Sequence, residues 1–290
     1  MLNLTLFSQI ISKLDRSKFN KLVNKKQTDK HNKGYNSWTH LVSMLFCQFA
    51  KSQSVRDISN GLRSATGNLN HLGIERAPSK STISYQNKHR DNSVFKDYYF
   101  TLLESLGQQA NFKQMKFKIK AKIFLLYSTT ISLCLSLFDW AKYKTAKGAV
   151  KMHTLLDYDG NLPAYVNITD GKTADNKGAS DIPIHKGSVI VADRFYNDFS
   201  LLKVWDSNKV FFVIRHKENL QCIKIKENDL PDNRYEHILI DEIIELKNNS
   251  SKEKYTNRLR RIAVWDQKNQ QTIELITNQM SWIANTIGEL

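Results

Sequence analysis

The period of the apolar residues changes near residue 112, and this change constrains the fold more than any other feature of the sequence. Before it, apolar residues recur every three to four positions, as they do on one face of an α-helix. After it, short apolar runs are separated by turn residues, as they are in β-strands. The sequence therefore predicts a small all-α domain over residues 1–110 and an α/β domain over residues 111–290.

The helices of the first part are predicted from apolar spacing and from residues that can cap a helix. Ser37 and Ser54 are candidate N-caps, because a short hydroxyl side chain can accept a hydrogen bond from an unpaired backbone N–H. The polar and basic residues 24–36 are predicted to form a loop between the first helix and the one that begins near Ser37.

A further short helix is predicted to begin at Ser79, after the Ala77-Pro78 break, and it is rich in Ser, Thr and Lys. Together with the helix before it, this segment is compatible with a helix-turn-helix, although many helical linkers have the same pattern. The aromatic residues Trp38, Tyr85 and Phe95 have helical spacing, and we expect them in the core rather than stacked on bases.

Positive charge is concentrated in the first two-fifths of the chain. Residues 1–122 contain 21 Lys and Arg against seven Asp and Glu, whereas residues 123–290 contain 22 against 21. Clustered basic charge supplies most of the non-specific affinity of proteins for nucleic acid. The pattern favours a DNA-binding module joined to a nearly neutral second module, and a solvated basic surface without a partner is the alternative.

The cysteines and the longest uncharged run argue against a secreted or membrane protein. Cys47, Cys134 and Cys222 are far apart and have no metal-binding spacing, which predicts buried, reduced thiols. Residues 123–138 are uncharged, but they are interrupted by Ser and Thr and are shorter than the roughly 20 apolar residues that span a bilayer. No basic segment precedes an apolar run at the N-terminus. We therefore expect a cytoplasmic protein with no membrane partner.

The second part of the chain predicts a mixed α/β sheet. Residues 123–126 and 189–192 are apolar on both faces, as central strands are. Residues 150–156 and 162–168 are predicted to form a hairpin around a polar turn. A helix is predicted over residues 195–205, and short strands dominate after it.

Asp193 is the candidate catalytic residue, because it ends a buried strand and leads into a helix. Ligand and catalytic groups collect at this edge in open α/β sheets. The alternative, equally favoured by position alone, is that Asp193 only caps the following helix. Arg194 and Tyr196 lie beside it and are candidate contacts to DNA phosphate.

Three residues at the start of the predicted hairpin are further candidate DNA contacts. Lys147 and Lys151 carry charges that suit a DNA backbone, and His153 lies two residues after Lys151, on the same face of the strand. A solvated strand edge is the alternative interpretation.

The segments around these residues resemble the catalytic domain of the DDE transposases of the IS-four insertion-sequence family. They are LLYSTT (125–130), KGAVKMH (147–153), DGKTAD (170–175) and VADRFY (191–196). The resemblance covers essentially the whole chain. It implies an RNase H-like mixed sheet with a β-strand insertion from about residue 207, preceded by a small all-α basic domain that binds DNA.

The resemblance also implies the partners and the setting of the protein. The expected partner is double-stranded DNA, at transposon terminal inverted repeats and at target sites, and a dimer on the DNA is left open. The expected location is the bacterial cytoplasm, in association with the nucleoid.

In that family an Asp, a second Asp and a Glu hold Mg²⁺ ions that promote strand cleavage and transfer. Asp193 matches the second Asp and is therefore the candidate metal ligand. Tyr127 stands at the first Asp position, where a phenol is uncharged at neutral pH and offers one oxygen. The chain stops at Leu290, where the Glu-bearing helix is expected to begin, and Glu289 does not match the family's Glu. The expectation is a truncated, catalytically inactive transposase with one face of its sheet uncovered.

Two alternatives remain open beside an inactive transposase. The chain is then either a non-catalytic DNA-binding remnant that represses intact copies or a decayed gene product without a function. An RNase H-type ribonuclease is a less favoured enzyme class, because it needs the same carboxylates.

Overall fold

The computed structural model describes residues 4–65, 67–109, 121–133, 142–144, 147–160, 162–217, 220–230 and 237–290. The chain divides into two compact units, Met1–Ala110 and Asn111–Leu290. This division falls close to the change in the period of the apolar residues.

The described part of the first unit is helical. Its helices are α1 (Leu4–Ser12), α2 (Arg16–Lys26), α3 (Ser37–Phe49), α4 (Val55–Ser64), a 3₁₀ helix (Leu69–Leu72), α5 (Lys80–His89) and α6 (Ser93–Gln109). The apolar faces of these helices meet in one core, which includes Phe7, Phe19, Trp38, Val42, Leu62, Ile83 and Tyr98. Burial of this apolar surface is the main force that holds short helices together.

Helix caps decide where these helices begin, and they correct two predictions. Ser54 caps α4, as predicted, by accepting a hydrogen bond from the backbone N–H of Asp57. Asn36, rather than Ser37, caps α3. Asp15 caps α2, which continues into the segment that was predicted to be a loop. The loop prediction was wrong there because a basic, polar sequence can still form a helix when one side packs on a core.

Ten strands form one mixed sheet in the described part of the second unit. They are β1 (Ile123–Leu133), β2 (Lys142–Lys144), β3 (Lys147–Asp157), β4 (Leu162–Asp170), β5 (Val189–Ala192), β6 (Phe211–Arg215), β7 (Cys222–Glu227), β8 (Ile238–Leu246), β9 (Leu259–Asp266) and β10 (Gln271–Thr277). The helices around them are α7 (Asp175–Ala179), α8 (Phe199–Ser207), α9 (Asn249–Lys254) and α10 (Ala284–Gly288).

The strand order is that of an RNase H-like fold, so the predicted fold class is confirmed. From one edge the order is β4-β3-β1-β5-β6, and β2 also pairs with β3. β3 and β4 form the predicted antiparallel hairpin, whereas β1, β5 and β6 run parallel. The β-rich insertion continues this same sheet in the order β10-β9-β8-β7, because β10 pairs antiparallel with β6.

Successive residues of the central strands enter two different cores, one on each face of the sheet. On one face α7 and α8 cover a core that contains Ile190 and Phe212. On the other face α10 lies on β8 and β9. Val189 and Val213 on that second face are 0% and 1% exposed. The expectation of an uncovered face is therefore wrong for these central strands.

The segment after Asp193 differs from the single helix predicted over residues 195–205. A 3₁₀ helix occupies Arg194–Tyr196, and α8 begins only after Asp198. The Asp198 carboxylate accepts hydrogen bonds from the backbone N–H groups of Ser200 and Leu201 and starts the new helix. A second capping residue so close to the first interrupts the helical segment.

Candidate active site

The parallel pairing of β1 with β5 places Tyr127 beside Asp193. The register pairs Leu126 with Ala192, so Tyr127 and Asp193 are the next residues along the two strands. Both side chains are exposed, that of Tyr127 to 40%. The site therefore lies at the carboxyl edge of the parallel strands, where open α/β sheets collect ligand-binding groups.

Asp193 acts as a cap in this structure. Its Oδ1 atom accepts a hydrogen bond of 2.8 Å from the backbone N–H of Phe195 and thereby stabilises the 3₁₀ helix. The Arg194 guanidinium lies 5.8 Å from the centroid of the Phe195 ring, and this ring is 61% exposed. An exposed cation and an exposed aromatic ring thus flank Asp193, and phosphate contact by Arg194 remains a prediction.

A second carboxylate, Asp175, lies close to this edge in the first turn of α7. Its Oδ1 atom accepts a 2.7 Å hydrogen bond from the Ser128 hydroxyl and is 3.1 Å from the Lys151 ammonium nitrogen. Lys151 also donates to the Thr173 carbonyl at 2.9 Å. Because the Lys151 and Asp175 side chains are only 16% and 14% exposed, the pair is largely withdrawn from solvent. The charge of Lys151 is thus balanced within the protein.

Asp175 belongs to the DGKTAD segment (170–175) of the resemblance, but it was not singled out as a site residue. An acidic residue at the start of a short helix is ordinarily explained by its favourable interaction with the helix dipole. Its partner Ser128 is 47 residues away along the chain, and only the pairing of β1 with β3 brings Ser128 and Lys151 to the same helix.

His153 and Tyr196, two of the predicted DNA contacts, are 0% and 1% exposed. The His153 Nε2 atom is 2.9 Å from the Thr169 hydroxyl, and α7 passes so close that a Cβ atom on Gly178 would lie 2.1 Å from Nε2. Burial lowers the pKa of His153 and raises that of Tyr196, so both rings are uncharged at neutral pH. In this conformation neither ring offers a surface to DNA.

The other predicted contacts from the hairpin have different outcomes. Lys151 and His153 point to the same face of β3, as their spacing predicts, and both contact the segment that contains α7. Lys147 is the first residue of β3, and its side chain lies outside the described residues. DNA contact by Lys147 therefore stays a prediction.

The sheet has the strand order of an RNase H-like fold, and Asp193 follows the end of a central parallel strand. Residues 119–281, more than half of the chain, match the family described as the transposase DDE domain, and the chain belongs to this family. Residues 3–75 match a domain of unknown function, DUF4372.

Similar proteins from three bacteria are named as transposases. Transposase y4zB of Sinorhizobium fredii is 27% identical over 221 residues, which cover 74% of this chain and 58% of that protein. The transposase for insertion sequence element IS5377 of Geobacillus stearothermophilus is 22% identical over 210 residues, which cover 72% and 54%. The transposase for element IS4SA of Synechocystis is 26% identical over 152 residues, which cover 51% and 43%. The chain spans about half the length of these relatives.

Transposases of the DDE family generally use divalent metal ions, and the residues at this edge do not fit such a site. Tyr127 supplies a single phenol oxygen, whereas proteins bind Mg²⁺ mainly through carboxylates. Among the described residues, no three His, Cys, Asp or Glu side chains lie close enough together to hold a metal ion. Metal binding by Asp193 stays a prediction. The described helices include none that is long and apolar enough to cross a membrane.

Proposed function

We propose that this chain is a DNA-binding protein of the DDE transposase family whose strand-cleavage chemistry is blocked at residue 127. Its partners are double-stranded DNA at the terminal inverted repeats of a transposon and at target sites. The observation that supports the block is the position of Tyr127 beside Asp193, on the neighbouring parallel strand.

The block follows from the requirements of phosphodiester cleavage. Two divalent ions roughly 3.5–4 Å apart activate the attacking oxygen and stabilise the leaving oxygen of an in-line displacement. Carboxylates hold such ions because each contributes a negative charge and two oxygens. The Tyr127 phenol contributes neither, and its ring is larger than an Asp side chain. Asp193 offers too few ligands to position two ions, because the nearby Asp175 carboxylate is already paired with Lys151.

DNA binding is supported by the unequal use of charged side chains in the helical unit. Residues 1–110 contain 16 Lys and Arg against seven Asp and Glu. Asp97 pairs with Lys26 and Asp29 with Arg90, whereas Asp15, Asp57 and Asp91 accept hydrogen bonds from backbone N–H groups and keep their charge. The basic residues of this unit outnumber its acidic residues by nine, and this excess suits a polyanion.

The test compares the unmodified full-length chain with Tyr127→Asp and Tyr127→Phe. The DNA is a supercoiled plasmid that carries the gene of this chain with several hundred base pairs on either side. We expect the unmodified chain and Tyr127→Phe to bind this DNA without nicking it in Mg²⁺ or Mn²⁺. Calorimetric titration with Mn²⁺ should detect binding only to Tyr127→Asp, because this variant places two carboxylates on adjacent strands.

The outcomes separate the two parts of the proposal. Metal-dependent nicking by the unmodified chain would show that Tyr127 does not block cleavage. Absence of any duplex binding would remove the DNA-binding role. If Mn²⁺ binds the unmodified chain and Tyr127→Asp equally, residue 127 is not a metal position. The double variant Tyr127→Asp, Asp193→Asn is the control, because it shows whether any bound Mn²⁺ lies at this edge of the sheet.

A further inference from the structure

Helix α5 is almost entirely exposed, which is unusual for a helix inside a compact unit. Of its ten residues only Ile83 is buried, at 0% exposure. A helix of this length is not stable in water by itself, and one core residue contributes little packing. Other contacts must therefore hold α5 in place.

Polar contacts at both ends fix α5 to the helices beneath it. Ser79 caps its first turn. The Ser59 hydroxyl of α4 donates a 2.8 Å hydrogen bond to the carbonyl of Pro78, just before the helix. Near the other end, the Asn87 side-chain oxygen accepts a 2.5 Å hydrogen bond from the ring of the buried His40. The side of α5 that faces the unit is thus held rigidly, and the opposite side is left to solvent.

The outward side of α5 carries Ser81, Ser84, Tyr85 and Lys88, which are all exposed. Their spacing of three, four and seven residues places them on one face of the helix, away from Ile83. This face combines hydroxyl groups that donate and accept hydrogen bonds with a lysine that only donates. Such a face can form hydrogen bonds with the polar groups of a ligand.

Tyr85 is the most informative residue of this face, because the sequence placed it in the core. Instead its side chain is 60% exposed, and its ring stacks on the His89 ring with the centroids 4.1 Å apart. The stacking limits the motion of the tyrosine ring without removing it from solvent. Trp38 is buried and Phe95 is packed against the core, as expected.

The charge around this face selects the partner. α5 contains two lysines and no acidic residue, and residues 1–110 contain 16 Lys and Arg against seven Asp and Glu. The major groove of duplex DNA is about 12 Å wide, which admits one α-helix, and its walls are phosphates. A helix whose inner side is fixed to the rest of the unit, and whose outer face is polar and basic, matches this groove in shape and in charge.

We propose that α5 is the recognition helix of this protein and reads the major groove of duplex DNA through Ser81, Ser84, Tyr85 and Lys88. The inference rests on the proposed DNA-binding function and assigns the surface that performs it. Lys88 contacts phosphate or guanine, whereas Ser84 and Tyr85 contact base edges and set the preferred sequence.

The experiment begins with the unmodified full-length chain and a pool of randomised 20-base-pair duplexes. The selected duplex and a shuffled version of it are then used in fluorescence anisotropy titrations. We expect Ser84→Ala and Tyr85→Ala to lower the affinity for the selected duplex by about 5- to 100-fold while affinity for the shuffled duplex is retained. Lys88→Ala should weaken binding to both duplexes.

Lys25→Ala is the matched control, because Lys25 is an exposed lysine near the end of another helix of the same unit. We expect it to change the affinity by less than about threefold, and melting curves should show that all four variants remain folded. If the unmodified chain binds no duplex, the DNA-binding function itself fails. If it binds but the α5 variants match Lys25→Ala, or if single-stranded DNA binds as tightly as the selected duplex, the function stands and the assignment of α5 is overturned.

Discussion

The helical unit and the sheet unit differ in how far their charged side chains are paired. In residues 1–110, 16 Lys and Arg stand against seven Asp and Glu, so ion pairs such as Lys26 with Asp97 leave most lysines and arginines facing solvent. In the sheet unit basic and acidic groups pair with each other, as in the ion pairs of Arg260 with Asp241, Arg261 with Glu242 and Lys151 with Asp175. The number of charged residues gives the sign of a unit's net charge, but ion pairing decides which charged side chains remain available to a ligand.

The same contrast separates the two candidate DNA surfaces. Most of the predicted contacts in the sheet unit whose side chains are described serve the fold, because Lys151 is paired and His153 and Tyr196 are buried. In the helical unit α5 is held from behind and contributes almost nothing to the core. A residue is available to a ligand only when the structure does not already use it.

The largest expected effect concerns the salt dependence of DNA binding. If the basic helical unit contacts six to ten phosphates, raising the salt from 50 to 200 mM should lower the affinity of the full chain by about 10³- to 10⁵-fold. Anisotropy titrations across this range measure the slope. Lys252→Ala, an exposed lysine of α9, should leave the slope unchanged. An affinity that does not change with salt concentration would show that the basic residues of the helical unit do not contact DNA phosphates.

The next effect concerns the paired charges of the sheet unit. The Arg260 and Asp241 side chains are 5% and 4% exposed and are 2.6 Å apart. Arg260→Ala leaves the carboxylate buried without its partner, and we expect the free energy of unfolding to fall by about 3–5 kcal/mol in urea titrations. Arg258→Ala breaks a solvent-exposed pair with Glu245 and should cost less than about 1 kcal/mol. Equal losses would show that the buried pair does not hold this unit together.

A smaller effect tests how tightly α7 is packed on the sheet. A methyl group on Gly178 would overlap the His153 ring, so Gly178→Ala should lower the free energy of unfolding by about 1–3 kcal/mol. His153→Ala creates space at the same position, so the cost of Gly178→Ala should shrink in the double variant. Strictly additive costs would mean that the two residues do not touch in solution.

The smallest effect, taken per pH unit, is the acid sensitivity of the helical unit. Burial lowers the pKa of His40 from 6.5 to about 4. The unfolded chain therefore takes up this proton first as the pH falls, and stability that is complete above about pH 6.5 is lost progressively towards pH 4. Urea titrations should show a slope of at most about 1.4 kcal/mol per pH unit from this group. His40→Gln should flatten the slope, and an unchanged slope would assign the acid sensitivity to other groups.

Several parts of the fold and the site followed from local sequence alone. The strand Val189–Ala192 was predicted at its observed bounds, because its residues are apolar on both faces, as those of a central strand are. Asp193 was recognised as the end of such a strand. That Tyr127 stands where the family has a carboxylate was implied by the resemblance and stays a prediction.

Other features depend on contacts between residues that are distant along the chain. The bond of Ser128 to Asp175, the burial of His153 beneath Gly178 and the extension of the sheet from β6 to β10 all depend on how strands and helices are brought together. Periodicity records which face of an element is apolar, but not which neighbour lies against it.

The sequence by itself determined the change from a helical part to a strand-rich part and the basic character of the first part of the chain. The tertiary structure decided which charged groups are paired and which faces are exposed. Tyr85 shows the difference: its helical spacing is the same whether it faces the core or solvent. Only the packing of α5 around Ile83 turned its ring outward.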